Sequence, residues 1–333
     1  MTDPSSGNVI TPPGFEGLLG GATYTSFVNG KTLPEAWDVE LDLPVIDVAT
    51  SQGFGMARVW GISNQEIAQA NDLSGKNIAI YGGMQKGLPL ANPAQSGLLV
   101  QGNILQCYGN NIGVDRTLDF VIQPGTASAS NPGGIGSIAK PRNIVLNWPK
   151  GQPLSSALQS ALSTAFPGVT VNVNISANIV RQNDEVTAYP TLEQLAQYCR
   201  QTSLDVVKTA NYAGVSIFPS GNTIAVSDGT NQSSAPTIAI NYTDLIGQPT
   251  WIESPNIQIK TVMRADLAVW SQIKLPPTLT INTAAANSYI VNQKLAFQGA
   301  FNVVSLRHVG RFRQPTADAW VSVIEAVPQQ GLS

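Results

Sequence analysis

Apolar residues fall at every second position in two separate stretches of this 333-residue chain, and at helical spacing in the stretch between them. This change of period constrains the fold more than any other feature. A period of two sends successive side chains to opposite faces of a strand, whereas steps of three and four line up one side of a helix. A chain that reads as strands, then helix and strand mixed, then strands again is mainly β with an α+β insert.

The first strand-rich stretch covers residues 38–125. Val39-Glu40-Leu41-Asp42-Leu43 alternates cleanly, and Met56–Ile62 is a second strand. Ser63 and Glu66 have the spacing of a capping box, in which each side chain satisfies an otherwise unpaired amide of the other. The short helix they open runs to about Leu73. Ser74-Gly75-Lys76 turns the chain into Asn77–Tyr81, and strands follow at Leu98–Leu105 and Thr117–Gln123. The expected unit is a small β-barrel with one helix. Residues 1–37, rich in Gly, Pro, Thr and Ser, read as an extended arm that orders against a partner or stays mobile. Residues 126–142, a run of Ser, Ala, Asn, Gly and Pro, read as a linker.

The insert spans 143–230. Asn143–Asn147 is strand-like, and Pro153 suits the first turn of a helix. Leu154, Ala157, Leu158, Ala161, Leu162, Ala165 and Phe166 then form one apolar stripe, broken by Gly168. Val169–Ile175 alternates as a strand. Thr191-Leu192-Glu193-Gln194 is a second capping box, with Leu195, Ala196 and Cys199 on the buried side. Gly214–Phe218 and Thr223–Val226 flank Pro219-Ser220-Gly221-Asn222 as a hairpin. Two helices on one small sheet is the simplest packing.

The second strand-rich stretch, 231–327, carries strands at Ile238–Ile240, Ile257–Val262, Leu267–Leu275, Lys294–Phe297, Asn302–Val309 and Ala319–Ala326; residues 328–333 form a tail. Leu99-Val100-Gln101-Gly102-Asn103-Ile104 echoes Ala296-Phe297-Gln298-Gly299-Ala300-Phe301, each trailing an apolar strand, at Ile78 and at Ile273. The echo suggests two copies of one barrel split by the α+β insert.

Composition narrows the chemistry. Charged residues make up 12% of the chain, about half the usual ~25%. That suits a surface covered by neighbours, because interface cores are depleted in charge. A net charge of −3 with no dense basic run argues against a dedicated nucleic-acid binder. No apolar stretch reaches the ~20 residues of a membrane span. The first residues lack the basic and apolar regions of a secretory signal.

The single histidine, His308, excludes two-histidine metal sites and would have to serve any triad. It lies in a strand and reads as a surface or barrel-lining residue. Cys107 and Cys199 show neither disulfide nor zinc spacing and read as small core residues. Pro132–Ser137 is glycine-rich but lacks the Lys-Ser/Thr of a phosphate loop. The acids Asp184-Glu185, and Asp115 and Asp119 around Arg116, are too sparse to mark a catalytic pair. No catalytic, cofactor-binding or metal-binding residue is assigned, and no cofactor is expected.

Three stretches, Ala57–Ile104, Pro153–Asp228 and Asp244–Leu275, carry a resemblance. The last holds Asp244-Leu-Ile-Gly-Gln-Pro-Thr-Trp251 and Val262-Met-Arg-Ala-Asp-Leu-Ala-Val269. The order resembles the baseplate hub proteins of contractile-tailed bacteriophages, with Mu-like or related tails, which are related to the base of the type VI secretion spike. The resemblance covers most of 38–327, but not the N-terminal arm. Glycine commonly follows the arginine–aspartate segment in that family; Trp270 stands there, so a different local turn is expected.

The resemblance implies two tail-tube-like small β-barrels per chain. It also implies a homotrimer whose six barrels match the sixfold tail tube, with the central spike docked on one side. Tail tube proteins, the tape measure protein and other baseplate proteins would be its neighbours. It would be part of the virion tail baseplate, assembled in the host cytoplasm, and would carry no enzymatic activity. The alternatives from other classes are a tail-associated peptidoglycan-binding or -degrading protein, suggested by the small 143–230 unit, and another tail-tube or distal-tail ring component. Within the hub reading, Arg307, Arg311 and Arg313 are candidates to line a lumen for passing DNA or the tape measure; the plainer reading is charge on a solvated strand face.

Overall fold

The computed structural model describes residues 27–28, 31–32, 38–45, 54–68, 70–75, 77–83, 92–124, 143–209, 212–220, 223–230, 237–253, 256–276, 300–311, 314 and 316–328. Most of the arm, the linker, the Gly-rich Pro132–Ser137 run, the strand expected at Lys294–Phe297 and most of the second half of the internal echo lie outside these residues. So does the side chain of Glu66, and with it one half of the first capping box.

The protein is mainly β. Two short strands, β1 (Phe27–Val28) and β2 (Lys31–Thr32), pair antiparallel within the stretch read as an arm; strands of two residues carry no alternation to read. Then come β3 (Asp38–Val45), β4 (Gly55–Trp60), helix α1 (Asn64–Ala68) with a 3-10 turn at Ala70–Leu73, and β5 (Asn77–Gly82). A 3-10 turn at Pro93–Gln95 leads into β6 (Gly97–Ile112) and β7 (Asp115–Pro124). Strand β6 runs well past the expected Leu105. A bulge between Ile104 and Gln106 leaves Leu105 exposed and inverts the alternation, which hides the second half of the strand from a period-two reading.

The insert holds β8 (Ile144–Trp148), α2 (Leu154–Ala165), β9 (Thr170–Asn174), β10 (Glu185–Tyr189), α3 (Leu192–Val207), β11 (Ser216–Ser220) and β12 (Thr223–Ser227). Pro153 sits one step earlier than expected, as the extended N-cap of α2. Thr191 caps α3 by accepting the Gln194 N–H at 3.3 Å, and Lys208 ends it in the left-handed region. The expected stripe of α2 is the buried one. Leu154, Leu158 and Leu162 meet Leu195, Ala196 and Cys199 of α3 in one core with Ile144, Leu146 and Trp148. Instead of one small sheet there are two: β8 with β10, and β11–β12–β9, in which β9 runs parallel to β12. Alternation identifies the buried face of a strand but not its neighbour.

After the insert come β13 (Ile238–Ala239), a 3-10 turn at Tyr242–Asp244, β14 (Thr250–Glu253), β15 (Asn256–Val262), β16 (Gln272–Lys274), β17 (Ala300–Arg311) and β18 (Trp320–Pro328). The strand expected over Leu267–Leu275 shrinks to β16. Its first part is a loop because Trp270 has φ +67°, which no extended strand accommodates. For a bulky side chain that backbone costs on the order of 1–3 kcal/mol.

The two β-rich stretches do not form separate closed barrels among the described residues. They join in one 11-stranded sheet, β14-β15-β18-β17-β3-β4-β7-β6-β5, with β16 beside β17 and β13 beside β16. The join is β3, which takes β4 on one edge and β17 on the other, with Leu43 opposite His308 and Leu41 opposite Gly310. The sheet curls so that its β5 end comes back to the second stretch. There Ala265 N–H donates to Gln95 O at 2.7 Å and Trp320 Nε1 to Gly83 O at 3.4 Å. Glycine permits this approach: a Cβ on Gly82 would lie 2.5 Å from Leu99 Cδ1 and 3.1 Å from Met263 Sδ. One core lies under β3–β7 around Leu43, Ile104, Leu118 and Ile122. A second lies under β15–β18 around Ile257, Ile259, Phe301 and Ile324.

Candidate functional site

Two polar arrangements stand out, one buried at the meeting of the two β-rich stretches and one on the open face of the sheet.

The buried one centres on Arg264, only 2% exposed. Its Nε and Nη2 donate to the two carboxylate oxygens of Asp266 at 2.7 and 2.6 Å, and Nη1 donates to Asp244 Oδ2 at 3.3 Å. Asp244 also accepts the Asn241 N–H at 3.0 Å and closes a capping box at its 3-10 turn. The two segments that carry the sequence resemblance, 244–251 and 262–269, are thus tied by one guanidinium. A planar fork with five donors suits this two-carboxylate geometry, which an ammonium could not match. The backbone N–H of Arg264 donates to Ser322 Oγ at 3.1 Å, and that hydroxyl lies 2.9 Å from His308 Nδ1.

His308 is therefore neither on the surface nor lining an opening: the register of β17 turns it inward, opposite Ser322 and Leu43. Burial pushes its imidazole down to about 4, so it is neutral near pH 7. Both members of the Ser322–His308 pair are buried, and among the described residues no carboxylate hydrogen-bonds the ring.

The second arrangement is a ladder of charges on the outer face of β17, β3, β4, β7 and β6. Arg307 Nε and Nη2 donate to the two oxygens of Asp42 at 2.6 and 2.5 Å. Arg311 lies 4.0 Å from Glu40, which lies 3.9 Å from Arg58. Arg58 pairs closely with Asp119. Asp119 is fully buried under its neighbours and also accepts from Asn110 Nδ2 at 2.7 Å and Thr117 Oγ1 at 2.9 Å. Two guanidiniums approach the Trp60 ring, Arg58 at 5.6 Å and Arg311 at 5.7 Å from its centroid. Hydrogen bonding to Asp119 and to Asp42 holds the Arg58 and Arg307 guanidiniums above their ordinary range.

Arg307 and Arg311 are thus matched by acids and do not form an unopposed basic patch; Arg313 lies outside the described residues. Glu40 and Asp42 were legible as the outward positions of an alternating strand, but nothing in sequence paired them with arginines on β17 more than 260 residues on. Nothing in the sequence marks Arg264, Asp244 and Asp266 as buried.

The remaining candidates are dispersed. Asp115 is exposed beside a hairpin turn, away from the role of Asp119. Asp184 accepts the Lys150 N–H at 2.8 Å, while Glu185 pairs with Arg181 and Tyr198. Cys107 and Cys199 are buried, and burial pushes the Cys107 thiol up to about 12. Among the described residues no group of three His, Cys, Asp or Glu could hold a metal ion, and no helix is long and apolar enough to cross a membrane.

No protein-family model matches the sequence, and no curated protein matches it. Among solved structures, the chain is similar to a tail protein from Neisseria meningitidis MC58, at 10% identity and TM-score 0.45, covering 87% of this chain and 92% of that one. It is also similar to the 43 kDa tail protein of prophage MuSo2 from Shewanella oneidensis, at 9% identity and TM-score 0.47, covering 90% and 96%. A third is prophage tail protein gp18 from Listeria monocytogenes EGD-e, at 8% identity and TM-score 0.38, covering 93% and 91%.

Proposed function

We propose that this chain is a structural component of a phage tail, acting in the baseplate as a trimeric hub that adapts a threefold central spike to the sixfold tail tube. The observation that carries the reading is the β3–β17 join. Two strand-rich units of one chain run on as a single curved sheet, so each chain offers two successive wall segments and three chains offer six. The sequence resemblance of 244–251 and 262–269 to hub proteins supports it, since those segments are tied together at Arg264. In this role the open edge of β14 meets a neighbouring copy; an open strand edge is otherwise an aggregation liability. The charged outer face, with acids and bases matched, would face the lumen without holding DNA or the tape measure protein by net charge. The two tail-tube-like barrels of this reading would be completed between chains.

The spike, tail tube proteins and other baseplate proteins are the expected partners, in the virion tail. Negative-stain images of the purified chain, alone and with candidate spike protein, test the reading. It expects rings with six similar density lobes; single unassembled particles in both samples count against it.

A further inference from the structure

We infer that the α+β insert is held on the large sheet by a reversible latch made of Trp270, Phe218, Gly229 and Asn302. Among the described residues no strand of the insert pairs with a strand of the large sheet. Contact is made instead through a turn of the insert. The Asp228 carboxylate fixes that turn within the insert by accepting from Ser176 N at 2.9 Å, Tyr212 OH at 3.0 Å, and Thr230 N and Oγ1 at 3.0 and 2.6 Å. The turn presents Gly229, at φ +76°, to the Trp270 indole so closely that a Cβ there would lie 2.6 Å from Trp270 Cζ3. Phe218 of β11 meets the same indole edge-on, with centroids 6.4 Å apart at 64°. Asn302 of β17 completes the contact by donating Nδ2 to Gly229 O at 3.4 Å.

One feature holds the shape of this contact and another works against it. Trp270 holds a left-handed backbone that a bulky side chain disfavours, pinned there by its N–H to Val303 O at 2.6 Å. Asn302, 3% exposed, has an Oδ1 with no hydrogen-bond partner among the described residues. The unsatisfied buried acceptor on the sheet side, which water reaches on opening, opposes the aromatic burial, while the Trp270 backbone is held by a bond within the sheet side and presents the indole in both states. An interface balanced in this way opens before either core does. The latch lets the insert leave the sheet as a folded unit, and it stands whether or not the chain is a hub.

The test is a distance between spin labels on the full chain, at Ser163→Cys on α2 and Asp318→Cys in the turn before β18; both sites are exposed, and the native cysteines are buried. The wild-type background should give one narrow distance, with a second, broad component growing in urea below the global unfolding transition. Trp270→Ala removes the indole from the sheet side. Gly229→Ala wedges a methyl from the insert side and leaves both cores whole. Each should raise the broad component about tenfold while circular dichroism stays native, the response to a change of ~1.4 kcal/mol. A single narrow distance in wild type up to global unfolding overturns the latch. So does an unchanged distribution in both variants. If the variants lose their native dichroism, the wild-type urea series decides.

Discussion

The guanidinium of Arg264 is shared between Asp266, two residues along the chain, and Asp244, twenty residues before it. The shared cation fixes the loop at 263–266, and the next residue, Ala265, donates the hydrogen bond to Gln95 that brings the far end of the sheet home. Removing the cation leaves the buried Asp244 and the partly buried Asp266 without their shared donor. Arg264→Met should therefore destabilise the fold by ~3–5 kcal/mol, the usual cost of breaking a buried ion pair from one side. Urea denaturation reads this directly; a loss under ~1 kcal/mol would show that the cluster is solvated and structurally idle.

The ladder on the open face predicts unequal arginines. Arg58 covers a fully buried carboxylate, so Arg58→Ala should cost ~1–3 kcal/mol by leaving Asp119 short of a partner. Arg307 and Asp42 are about half exposed, with side-chain exposures of 55% and 44%, and Arg307→Ala should cost under ~1 kcal/mol. Equal losses in denaturation would contradict this division.

His308 makes stability depend on pH in a defined window. Its folded value is about 4 against an ordinary ~6.5, so the unfolded chain binds the extra proton between those values. Its contribution, on the order of 3 kcal/mol, is complete above pH ~6.5 and is lost as pH falls toward 4. His308→Gln should flatten that part of the stability profile by up to one proton. An identical slope in wild type and variant would place the ring in water.

Leu158 is fully buried in the core of the insert, between both helices and β8. Leu158→Ala should cost ~2–5 kcal/mol. Hydrogen exchange should show the loss over 143–230, with the β3–β7 amides unchanged; loss of protection across the whole chain would mean that the insert has no stability of its own.

Elements whose signal is local were legible in the sequence. The stripe from Leu154 to Phe166, the cap at Thr191 and the alternation of Val39–Leu43 each follow from a few neighbouring residues. What was not legible depends on distant partners. Alternation in β3 named Leu41 and Leu43 as inward but could not say that β17 would take its other edge, so two barrels were expected where the strands run on as one sheet. The bulge at Leu105 hid half of β6, and Trp270 turned an apolar run into a loop through a backbone conformation that its side chain gives no reason to expect. His308 reads as a surface or barrel-lining residue because the buried face of β17 can be chosen only once Ser322 stands opposite it. The ladder stayed hidden for the same reason: its acids and arginines lie on strands that sequence separates.

Light scattering of the purified full chain tests the hub reading most directly. The account predicts the mass of three chains of 35.2 kDa. A chain that stays monomeric, even with candidate spike protein present, would contradict it.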